Sequence, residues 1–71
     1  MLELLKKTRL YKGYHQYEMA KMLGISKGAY NRKENGWTEF TRGEMMRIIE
    51  RLELNIDDVN KIFFANSIGG N

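Results

Sequence analysis

A chain of 71 residues with a net charge of +3, no cysteine and a single histidine is one small domain with neither a disulfide nor a thiolate metal site, and a lone histidine cannot build a zinc site. A core of this size supplies only about 3–5 kcal/mol of net stability, which leaves helix packing and a partner subunit as the candidate supports. No stretch approaches the roughly 18 consecutive apolar residues that cross a bilayer, and the charged start MLELLKKTRL lacks a signal peptide's apolar run, so the expectation is a soluble, cytoplasmic protein.

The first predicted helix runs from about Leu2 to Lys12. Leu2, Leu5 and Arg9 share one face, and Gly13 is the stop. The second runs from about Gln16 to Leu23 with Met19, Ala20 and Leu23 inside, and Gly24 permits a left-handed turn. Ser26 caps a third helix from Lys27 to about Asn35, closed by Gly36. Thr41-Arg42-Gly43-Glu44 reads as a capping box, with Phe40 and Met45 at the staple positions. Met45, Ile48, Ile49 and Leu52 then follow at i, i+3, i+4 and i+7, the stripe of a buried helix face. A fifth helix opens at Asn55, with Asp57 and Asp58 suited to its N-terminus and Leu54 placed to staple to Val59. It is expected to bury Ile56, Val59 and Phe63, with Ile62 close by. Met19, Met22, Met45 and Met46 read as core and rim.

There is no strand candidate, no proline and no internal repeat. The fold class expected is all-α: five short helices in one domain over residues 1–64, with 65–71 as a frayed tail. Helices two and three are joined by only Gly24-Ile25-Ser26, which defines a helix-turn-helix unit. Residues 1–36 carry eight Lys/Arg and three acids, and residues 37–71 carry four Lys/Arg and six acids. A basic half joined to an acidic half suggests one face turned to a polyanion, although ordinary solvated faces show such asymmetry too.

The stretch QYEMAKMLGISKGAYNRKENG, Gln16 to Gly36, resembles the Cro/repressor-type helix-turn-helix regulators of phages and bacteria, whose fold is the lambda repressor-like domain. The resemblance lies in Gln16, Ala20, Leu23-Gly24-Ile25-Ser26, Arg32 and Glu34-Asn35-Gly36. It continues through Phe40-Thr41, Glu44, the Ile/Leu stripe and Ile56-Asp57-Asp58, covering roughly residues 2–64. Two positions depart from the pattern: His15 stands where a small hydroxyl residue is usual, and Lys33 where an apolar one is frequent. Lys33 is expected to lay its stem on the core and send its ammonium to water. Gly28 costs the third helix roughly 1 kcal/mol relative to Ala, tolerable in exchange for close approach to DNA.

The resemblance implies double-stranded DNA as partner, read in a major groove about 12 Å wide by the third helix. Lys27, Gly28, Asn31 and Arg32 are the base-readout candidates, against the plain reading of a polar helix face. Gln16 and Asn35 have two readings, phosphate contact or helix cap, and Lys33 is a further phosphate candidate. Trp37 either lies along the sugar-phosphate backbone or covers the core beside helix four. The resemblance pairs Arg9 with Glu34 as a structural ion pair. His15 is a pH switch or, more simply, a capping or surface residue. Lys6, Lys7 and Lys12 are assigned long-range attraction only.

Leu54, Phe63 and Phe64 are dimer-interface candidates, the alternative being that the phenylalanines fold back onto helix one. A two-fold dimer would set its recognition helices about 34 Å apart and require a near-palindromic operator. The functional expectation is a repressor or activator that acts by binding alone. The rival is an interaction module on the same fold, such as an antitoxin-like partner-binding protein. No enzyme activity, cofactor, metal or small-molecule ligand is expected, because the chain has no catalytic spacing and little room for a pocket.

Overall fold

The computed structural model describes residues 2–64, and the tail expected over 65–71 lies outside them. Five helices follow in order: α1 (Glu3–Tyr11), α2 (Gln16–Leu23), α3 (Lys27–Glu34), α4 (Arg42–Leu52) and α5 (Ile56–Val59). The last runs on into a π-helical turn, Asn60–Phe64. No strand occurs among the described residues.

Local chemistry sets most boundaries. Ser26 Oγ accepts the Ala29 N–H at 3.0 Å and starts α3. At α4, Thr41 Oγ1 accepts the Glu44 N–H at 3.1 Å while Glu44 Oε1 accepts the Thr41 N–H at 2.8 Å. The same reciprocal box joins Asn55 and Asp58 at α5. His15 takes the N-cap position of α2, and its own N–H donates to Glu18 Oε1 at 2.7 Å. These contacts satisfy donors that a helix start otherwise leaves unpaired.

The core comprises Leu5, Met19, Ala20, Leu23, Tyr30, Phe40, Ile48, Leu52 and Ile62, so every helix up to α4 and the final turn contribute. Two expectations fail here. Ile56 is 78% exposed, and the buried residue of the last segment is Ile62. The inward seam runs through the half-buried Asp58, Val59 and Phe63 with Ile62 between them. Ile56 lies at the first helical position, off that seam, and packing of the 60–64 turn against α1 selects the stripe. Met46 also stands out in solvent, because α4 turns Met45, Ile48 and Leu52 inward and Met46 falls between them.

Candidate nucleic-acid interface

The turn between α2 and α3 begins at Gly24, whose φ of +73° is the left-handed conformation that glycine adopts without penalty. The N–H groups of Gly24 and Ile25 donate back to Lys21 O and Ala20 O, so the chain leaves α2 in one direction only. Ala20 is buried where α2 and α3 pack. A methyl at that position lets the two backbones approach closely and leaves the outer side of α3 projecting from the domain.

On that outer side Lys27, Gly28 and Arg32 are exposed and Asn31 is half-buried. A Cβ added at Gly28 would meet nothing within 4 Å, so internal packing does not require the glycine. Trp37 follows α3 and is 79% exposed. Of its two readings, covering the core is therefore excluded.

Behind this face lies a closed hydrogen-bond network. Arg9 Nε and Nη2 donate to Glu34 Oε2 and Oε1 at 2.9 and 3.2 Å, and Arg9 Nη1 donates to Tyr14 O at 2.8 Å. Tyr30 Oη donates to Glu34 Oε2 at 2.8 Å, and Gln16 Nε2 to Glu34 Oε1 at 3.0 Å. Gln16 Oε1 accepts from Asn31 Nδ2 at 3.3 Å, and Asn31 Oδ1 accepts from Asn35 Nδ2 at 3.1 Å. Among the described residues no buried side-chain nitrogen or oxygen lacks a partner.

The network determines charge states. Burial pushes the Glu34 carboxyl up, but hydrogen bonds from Arg9, Gln16 and Tyr30 outweigh it, and the group is held below its ordinary value. Burial raises the Tyr30 phenol first and acceptance by Glu34 raises it further, so the hydroxyl stays a donor.

The structure thus brings Gln16, Asn31 and Asn35 together and ties them to the Arg9–Glu34 pair. Reasoning from sequence missed the Tyr30 hydroxyl, although Tyr30 and Glu34 are four apart on one helix and so share a face. It also missed Tyr17 and gave Lys6 long-range attraction only; with Arg9, His15, Gln16, Lys27 and Asn31 these two line a notch of about 410 Å³ beside the start of α2. His15 stacks on Tyr17 at 5.5 Å between ring centroids.

Lys33 departs from expectation. Its ammonium does not go to water but lies 3.0 Å from both Glu39 O and Glu44 Oε1. Desolvation pushes Glu44 up, yet the Thr41 N–H and Lys33 hold it below its ordinary value. Of the dimer candidates, Leu54 and Phe63 pack against the core, with Phe63 edge-on to Phe40 at 6.1 Å. Phe64 stays 41% exposed. One of the two adjacent phenylalanines is thus folded back and the other left at the surface.

No helix among the described residues is long and apolar enough to cross a membrane. A family model described as helix-turn-helix matches residues 5–59. No curated protein and no solved structure matches the chain.

Proposed function

The chain belongs to the helix-turn-helix family of DNA-binding regulators, and from that premise we propose that it is a cytoplasmic, sequence-specific transcriptional regulator. It inserts α3 into the major groove. Lys27, Gly28, Asn31 and Arg32 meet base edges, and Gln16, Asn35 and Trp37 meet the phosphate backbone. A second copy docks through the surface around Phe64 and makes the operator two-fold symmetric.

The observation that carries this reading is the outer face of α3. It joins exposed Lys27 and Arg32 to a glycine that has open space around it. Gly28 weakens its helix and serves no packing need inside the domain, which is what close approach to an external surface requires. Basic side chains on that face suit a polyanion and a guanine edge.

The reading is tested by selecting bound sequences from a random duplex library at moderate salt. An enriched two-fold site supports both recognition and the dimer. A single enriched half-site retains recognition and removes the dimer. No enrichment transfers the protein to the interaction-module class.

Two substitutions sharpen the test. Arg32→Ala is expected to cost about 1–3 kcal/mol of specific binding with an unchanged melting temperature. Equal affinity for the selected site would take Arg32 out of the readout. Gly28→Ala is expected to stabilise the free protein by roughly 1 kcal/mol while weakening operator binding. A variant that is both more stable and equally tight would show that nothing approaches α3 closely there.

A further inference from the structure

We infer that Lys33 is a positioning residue, whose ammonium straps the α3–α4 loop so that Trp37 is held ready for the DNA backbone. The inference rests on the DNA-binding reading above.

Three elements meet at one nitrogen. Lys33 belongs to the last turn of α3; its Nζ donates to the carbonyl of loop residue Glu39 and to the carboxylate of Glu44 in the first turn of α4. Both side chains are largely shielded, at 15% and 13% exposure. The Glu44 oxygen that receives Lys33 also receives the Thr41 N–H, so the strap and the α4 cap share one acceptor. The stem runs beside Phe40, whose ring centre is 6.0 Å from Nζ.

The other end of the loop is also held. Gly36, with a φ of +84°, donates its N–H to Lys33 O at 3.1 Å, and the Trp37 N–H donates to Arg32 O at 2.9 Å. Trp37 and Thr38 therefore stand exposed on a loop held at both ends. An apolar residue at position 33 would cover Phe40 equally well but would leave the Glu39 carbonyl unheld. A loop already ordered before contact gives up less conformational freedom on binding. Because Glu44 neutralises it, Lys33 adds little to the cationic field, and its effect does not act through displaced counterions.

The chain has one tryptophan, so fluorescence anisotropy decay reports on this loop alone. In Lys33→Met, which retains the apolar stem, the fast local component of the Trp37 decay is expected to grow in the free protein. Affinity for the selected duplex is expected to fall about ten-fold, the equivalent of 1.4 kcal/mol. The slope of log affinity against log salt should stay the same, whereas loss of a phosphate contact lowers its magnitude by about 0.9. Glu44→Gln removes the charge of the bridge but leaves an amide oxygen that still accepts both the Thr41 N–H and the Lys33 ammonium. It should show a smaller growth of the same component, because Lys33 also keeps the Glu39 carbonyl, and equal thermal melts of the two variants guard against a folding defect in the first.

Unchanged Trp37 motion in both variants overturns the strap, whatever DNA does. A slope loss of about 0.9 in Lys33→Met overturns it in favour of direct phosphate contact. If the unaltered protein binds no duplex, the DNA role falls with the parent reading, and the anisotropy result still separates the two failures.

Discussion

Glu34→Ala is expected to leave the protein largely unfolded at room temperature. Glu34 accepts four hydrogen bonds from three side chains, and its removal strands the Arg9 guanidinium, 4% exposed, with only Tyr14 O as partner. Breaking one side of such a buried pair costs about 3–5 kcal/mol. That is comparable to the whole net stability of roughly 3–5 kcal/mol that a core of this size supplies. Urea titration followed by circular dichroism at 222 nm would measure it. Replacing both partners with apolar residues, as in R9M with E34L, should recover part of the loss, since no unpaired charge remains although the buried Tyr30 hydroxyl loses its acceptor. If the single and double variants are equally unstable, the damage is lost packing and the stranded Tyr30 hydroxyl, not a stranded charge.

The same carboxyl predicts a pH dependence. Its folded value is depressed below the ordinary 4.5, so its stabilising effect is fully present above that value and is lost as pH falls through the folded value. Glu44 shifts in the same direction and adds to the effect. The melting temperature should therefore be level from neutral pH down to about 5 and fall below about 4.5, and the R9M/E34L protein should show a shallower fall. A melting temperature that rose on acidification would contradict the assignment.

Tyr30→Ala is the second change with a large expected effect. Tyr30 is fully buried on the inner side of α3, with its ring tilted against Phe40 at 5.8 Å and its hydroxyl on Glu34. Truncating a buried aromatic ring costs about 3–5 kcal/mol, and here the hydrogen bond goes with it. Tyr30→Phe separates the two contributions. A hydrogen bond to a charged group contributes about 1.5–3 kcal/mol, and the low end applies because Glu34 retains Arg9 and Gln16. The Phe variant should unfold at lower urea yet bind the selected duplex with little change, because ring packing and not the hydroxyl sets the helix angle. Loss of binding by a folded Phe variant would show instead that the hydrogen-bond network orients the reading face through Gln16 and Asn31.

The helix starts were legible because a cap is local chemistry. Ser26, Thr41 and Asn55 each act on a backbone donor three residues away, and that spacing is visible in any sequence. The left-handed Gly24 and the tight turn after α2 were legible for the same reason. The end of α4 was not: Glu53 takes the left-handed cap at a φ of 54°, a conformation that sequence rules assign to glycine. Packing of Leu52 and Leu54 on either side of it holds that conformation against the local preference.

The sequence by itself determined the all-α class, the helix-turn-helix unit and the chemical character of its outer face, because each follows from periodicity, caps and charge within a few residues. The Arg9–Glu34 pairing came from the resemblance and was found as expected, but its further partners were not. Tertiary structure alone decided which residues close the network around Glu34, where the Lys33 ammonium goes, and that Ile62 rather than Ile56 enters the core. It also separated Phe63, folded back, from Phe64, left at the surface. Each of those outcomes joins residues far apart in the chain or depends on how one helix rotates against another. A one-dimensional pattern carries the spacing of a face, but only the packed neighbours decide which face turns inward and which donor meets which acceptor.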